Sequence, residues 1–184
     1  MRSASLGPHV RRLGAIATLL LACQSPGAVP PLPPAEESVI RYHVSLAEHH
    51  AQRVQVRLTL DDLDGSPVDL SMPVWTPGSY LVREYARHVL DMDARAGDRN
   101  LPVVKLDKNT WRVDPGDARQ LDVSYTLYAN EFSVRTNHVD GEHAFLSPAA
   151  TFLYRHGHQD APHEVTFAPP EDWGVFTGLP ETDG

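Results

Sequence analysis

The sequence predicts an all-β protein, an antiparallel β-sandwich-like domain with one short helical turn, and three observations carry that prediction. Apolar residues recur with a period of two through most of the chain beyond Val39. Turn-forming residues such as Asp64-Gly65, Pro77-Gly78 and Asp107-Lys108-Asn109 divide these runs into short segments. No segment sustains a helical period, so helix-on-sheet architectures have nothing to build with.

The first residues stand outside this pattern. Arg2, Arg11 and Arg12 form a basic region, and Leu13 to Ala22 is an apolar run too short to span a membrane. The run ends Leu20-Leu21-Ala22-Cys23, and Cys23 is the only cysteine of the 184 residues. This segment resembles the lipobox of bacterial lipoproteins, which implies cleavage at residue 22, acylation of Cys23 and membrane contact through the lipid anchor only. The other reading is an ordinary secretory signal with an incidental cysteine, and both readings export the protein. Gln24, not aspartate, follows the cysteine, so the resemblance points to the outer membrane, facing the periplasm. A single cysteine allows no internal disulfide, so stability has to come from a packed core.

Residues 23–38 carry Pro26, Pro30, Pro31, Pro33 and Pro34 among small side chains. Such a linker buries too little to order itself, and proline extends it into a semi-rigid tether. Residues 39–184 are then one β domain. The formal net charge is −8, and the leader removes only arginines, so the remainder is more acidic still. That balance excludes nucleic acid as a partner, and no basic stripe opposes it.

Within the domain, Ile40, Tyr42, Val44 and Leu46 form the inward face of a first strand. Val54, Val56, Leu58 and Leu60 form a second, with Asp64-Gly65 as the corner after it. Leu70, Met72 and Val74 predict a third, running to Trp75. Pro77-Gly78 stops that strand in a type II turn, in which Gly78 needs positive φ. Gly157 is read as ordinary loop. Trp75 and Tyr80 stand at the two mouths of the Pro-Gly corner, where aromatics either clamp the turn or line a groove. Tyr80 to His88 holds one or two helical turns. Leu90, Met92 and Ala94 form the next strand up to Gly97, and Val103–Leu106 and Thr110–Val113 a hairpin. Leu121, Val123, Tyr125 and Leu127 complete the strongly alternating set, and short strands follow at Ala144–Leu146, Phe152–Arg155 and Glu164–Phe167.

The sequence contains no complete active site. His156-Gly157-His158 has a spacing that could chelate a metal, but a zinc site needs a third ligand and a second shell, and a hydrated acidic loop explains it as well. His163-Glu164-Val165-Thr166-Phe167 begins like a zincin helix, yet Phe167 stands where the second histidine must be. No metal ligand is assigned. Arg135, His138, Asp140 and His143 are four polar groups on a connection, suited to orienting a ligand or to fixing the loop through an Arg–Asp pair.

Trp75 through Val89, Asn109-Thr110-Trp111, Tyr128 through Arg135, His138-Val139-Asp140, His143-Ala144-Phe145 and Gly178-Leu179-Pro180 together resemble the N-terminal domain of the glycyl aminopeptidase family of zinc metallopeptidases. The resemblance runs from about Val39 to Pro180. It implies a β-rich domain that packs on a thermolysin-like catalytic domain carrying His-Glu-x-x-His, usually followed by a PDZ domain, and that helps wall a peptide cleft. No cofactor is expected in this chain, because the zinc belongs to that catalytic domain. The sequence stops at Gly184 before any zinc motif, which suggests a fragment, a truncated reading frame or half of a split gene. The residues that carry over as a substrate or domain interface are Trp75, Tyr80, Arg83, Tyr85, Arg135, His138, Asp140 and His143. The expected function is a non-catalytic N-terminal domain of an exported metallopeptidase. The alternative is a free-standing lipid-anchored module that binds peptide or glycan.

Overall fold

The computed structural model describes residues 38–182. The leader, Cys23 and the proline-rich linker therefore lie outside the described residues. Among the described residues no helix is long and apolar enough to cross a membrane.

The strongest alternation yields the longest strands. Strands β1 (Ile40–Ser45) and β2 (Arg53–Leu60) pair antiparallel, with Tyr42 opposite Leu58 and Val44 opposite Val56. Strands β3 (Val68–Ser71), β4 (Val89–Ala96), β5 (Arg99–Leu101), β6 (Val103–Lys105), β7 (Thr110–Val113) and β8 (Leu121–Tyr128) follow. Beyond them come β9 (His138–Val139), β10 (Ala144–Phe145), a single helical turn α1 (Pro148–Thr151), β11 (Tyr154–Arg155) and β12 (His163–Ala168). Six strands form one sheet in the order β12-β1-β2-β8-β4-β5, and four form a second in the order β11-β3-β7-β6. The hairpin β9–β10 stands apart.

Each sheet buries one face. Val54, Val56, Leu58 and Leu60 of β2 and Leu121, Val123, Tyr125 and Leu127 of β8 meet Val68, Leu70, Trp111 and Val113 of the second sheet in one core. Residues between them point outward, as the pleat requires. The expected all-β sandwich-like class therefore holds, with one correction: the sheets are not wholly antiparallel. β12 lies parallel to β1, with Ile40 opposite His163 and Val44 opposite Phe167. Periodicity reports which face a strand buries, not the direction of its neighbour, so this pairing was not readable.

Two further departures have local causes. The third strand ends at Ser71, because Pro73 has no amide proton to continue the ladder. Met72 stays buried beyond it, whereas Val74 and Trp75 are exposed. In β4 the register shifts between Val89 and Asp91, which turns Leu90 to solvent.

Candidate functional site

The Pro77-Gly78 corner forms as expected. The Ser79 amide donates to the Thr76 carbonyl (3.0 Å) and Gly78 takes φ +81°. Its two aromatics have separate fates. Trp75 clamps the turn, its indole N–H donating to the Ser79 carbonyl (2.8 Å). Tyr80 is fully exposed, and Leu81 and Val82 beside it are also exposed. The Arg83 amide returns to the Val74 carbonyl (2.6 Å), which closes the excursion and delivers the chain to a 3₁₀ turn over Tyr85–His88.

That turn forms one wall of a cleft of about 290 Å³ lined by Val82, Arg83, Glu84, Tyr85, Arg87 and His88, with Glu131 and Thr136 on the other wall. The stretch from Val82 to His88 and the connection carrying Glu131 and Thr136 thus meet, with Arg87 and Glu131 44 positions apart in the chain. An Arg87–Glu131 ion pair ties the walls together, and His88 Nε2 lies 3.7 Å from the same carboxylate. Burial holds the His88 pKa below its usual value, against the pull of Glu131. Lys108 pairs with Glu84 at 2.8 Å. Arg83 makes no ion pair among the described residues, and its Nε is buried without a partner. The Tyr85 hydroxyl is likewise buried and unpartnered.

The loop beyond Glu131 is held from beneath by a residue that sequence reasoning missed. Asn137 is buried; its Oδ1 accepts from the Ser147 amide (2.9 Å) and the Thr151 hydroxyl (3.1 Å), and its Nδ2 donates to the Ala150 carbonyl (3.1 Å). This hub fastens the loop to α1. Above it, Asp140 gathers the neighbouring groups. Its Oδ1 accepts from the amides of Glu142 (2.8 Å) and His143 (2.9 Å), and its Oδ2 lies 3.0 Å from His138 Nε2. His143 Nδ1 is 3.3 Å from Oδ1. Those backbone amides, with the His138 bond, hold the Asp140 carboxyl well below its usual range. Phe132 stands edge-on to both imidazoles, at 5.1 and 5.8 Å.

Three of the four expected loop residues therefore cluster, and the expected Arg–Asp pair does not form. Asp140 is already engaged by amides and imidazoles, and Arg135 makes no ion pair among the described residues. The ligand atoms of His138, Asp140 and His143 lie within 4.8 Å of one another, a donor set able to hold a divalent cation. Its sequence signal was a His-x-Asp-x-x-His spacing across one tight turn. His138 Nδ1 is the third buried side-chain atom without a partner. All three such atoms among the described residues, on Arg83, Tyr85 and His138, belong to candidate site residues.

The late histidines do not converge. His156 bonds Ser71 Oγ through Nε2 (2.8 Å) and stacks on Tyr154, while His158 Nδ1 turns back to the His156 carbonyl (3.1 Å). Gly157 between them takes φ +76°, so it is as conformationally committed as Gly78 and not an ordinary loop position. His163 and Glu164 lie in β12, where the helical spacing a zincin site uses is absent.

The Peptidase M61 N-terminal domain family matches residues 41–184. A crystal structure of an aminopeptidase N family protein from Idiomarina loihiensis is similar over 79% of this chain, with 30% identity and a TM-score of 0.74. The chain spans 25% of that protein's length. No curated protein matches the sequence. An exposed aromatic corner facing a fastened polar loop on a β-sandwich is the setting in which these matches fall, and the chain belongs to the Peptidase M61 N-terminal domain family.

Proposed function

We propose that this domain packs against a metallopeptidase catalytic domain through the face that carries Tyr80 and Phe132, and that the cleft between them helps wall the path of a peptide substrate. One observation carries the reading. Val82 lines the cleft, and Tyr80, Leu81, Phe132 and Val134, close in the chain to the residues of its two walls, are all exposed as well. Trp75, Arg83, Tyr85, Arg135, His138, Asp140 and His143 complete that surface, as rigid aromatic and polar groups of the kind that dominate interfaces. The neighbour, of which the match covers only 25%, supports a partner in the same polypeptide or from an adjoining frame. In this reading the domain contributes no catalytic group, zinc and its ligands belong to the catalytic domain, and acylated Cys23 tethers the assembly to the outer membrane, facing the periplasm.

The test is to join the domain to a catalytic domain of the family and introduce Tyr80→Asp with Phe132→Asp. The account expects kcat/KM to fall by about tenfold or more, as for loss of interface anchors, while the isolated chain melts unchanged. Unaltered kinetics would leave a free-standing binding module as the better description.

A further inference from the structure

The cleft contains one cation that its own surroundings leave unbalanced. Glu84 is neutralised by Lys108 and Glu131 by Arg87, with His88 beside the second pair. Arg87 Nε also donates to His88 Nε2 (3.1 Å). Arg83 alone has no carboxylate among the described residues, in a chain whose net charge is −8. Next to it in the same wall, Tyr85 is 2% exposed and its hydroxyl has no partner. Two buried donors without acceptors carry an uncompensated desolvation cost, and native proteins rarely retain such atoms without a use. Arginine suits a carboxylate better than lysine does, because its planar fork donates two parallel bonds to the two oxygens. A phenol donating to the same group would fix its orientation.

We propose that this cleft is a carboxylate-binding site, in which the Arg83 guanidinium and the Tyr85 hydroxyl hold a carboxylate borne by a peptide. The proposal deepens the reading of this face as a peptidase cleft and rests on it only for where the peptide comes from. The carboxylate is either the C-terminus of a substrate or an acidic side chain of the docked domain. Glu131 and Glu84 do not compete for Arg83, since each is engaged elsewhere. The Glu131 wall instead limits the site to one anion, because a second would meet an acidic neighbour.

The experiment is a titration of the untagged chain followed by NMR of arginine Nε–H groups and of the backbone amides from Val82 to Tyr85. N-acetyl-diglycine supplies a free C-terminal carboxylate, and N-acetyl-glutamic acid amide supplies a side-chain carboxylate. Sodium chloride at matched ionic strength is the control. A saturable shift at Arg83 and its neighbours with either peptide, absent with chloride, is expected; the tighter of the two identifies the source. Arg83→Lys should weaken binding by about tenfold or more, since it removes the fork. Tyr85→Phe should weaken it while leaving the amide spectrum folded. No saturable shift, or binding unchanged in both variants, overturns the proposal. Because the titration uses this chain alone, its failure leaves the docking of a catalytic domain standing, and failed docking leaves the titration standing.

Discussion

Two tyrosines, one in the core and one in the cleft, are equally buried and oppositely satisfied. Tyr125 of β8 is 1% exposed; its hydroxyl donates to the Thr151 carbonyl (2.8 Å) and accepts from the Leu153 amide (3.2 Å). Tyr42 repeats the device, donating to the Leu153 carbonyl at 2.7 Å. Both phenols are pushed up by burial and stay neutral, so they serve as fixed struts between the large sheet and the segment around α1. Tyr85 is just as deeply placed, and its hydroxyl has no partner among the described residues. The same contrast holds for apolar groups. The face of β2 buries every inward side chain, whereas Tyr80 and Phe132 stand in solvent. The core satisfies its own polar groups, whereas the cleft face leaves polar atoms without partners among the described residues.

Truncation should separate the two regions most widely. Leu58→Ala removes a side chain with no solvent contact and should cost about 2–5 kcal/mol of unfolding free energy. Phe132→Ala should stay within about 0.5 kcal/mol of wild type by denaturant unfolding, as exposed substitutions do. A large loss for Phe132→Ala would mean that its contacts with His138 and His143 hold the loop together.

The turns give a smaller effect. Gly78 and Gly157 both have positive φ, and a Cβ at either would meet nothing within 4 Å. The strain is therefore backbone strain alone, about 1–2 kcal/mol for each valine substitution. Near-equal shifts in the melting temperature are expected. A loss at Gly78 only would mean that the Gly157 loop relaxes out of its left-handed conformation.

Much of this was legible in the sequence, for physical reasons that also mark where reading stopped. β1, β2 and β8 alternate strictly because one face of each is buried and the other wet, and the Pro-Gly corner announces itself because few residues take its dihedrals. β5 has only Arg99, Asn100 and Leu101 and shows no alternation; it exists because β4 offers it an edge beyond the Gly97 turn. The walls of the cleft were half visible. Arg83 and Tyr85 stood out, and Arg87 and His88 share the 3₁₀ turn that Tyr85 opens, but Glu131 and Thr136 join them only through tertiary pairing, and Asn137 carries no motif. Asp140 was read as a partner for Arg135, but amides two and three residues ahead reach it instead.

The smallest effect is a pH dependence confined to the cleft. The His88 pKa is held down by burial in the folded protein, whereas an unfolded histidine titrates near 6.5. Below about pH 6.5 the unfolded chain takes up the proton first, so stability falls with decreasing pH and levels off below the folded pKa. His88→Asn should flatten that slope in unfolding curves between about pH 7 and pH 5. An unchanged slope would assign it to other groups.

The central claim is that the cleft face holds polar groups kept for a partner, and paired Tyr→Phe substitutions test it most directly. In denaturant unfolding of the isolated chain, Tyr125→Phe should lose about 1–3 kcal/mol, because it strands the Leu153 amide and the Thr151 carbonyl. Tyr85→Phe should match or exceed wild-type stability, because it removes a buried hydroxyl that has no partner among the described residues. A loss of similar size in both would contradict the account, since the Tyr85 hydroxyl would then be satisfied within the domain and owed to no partner.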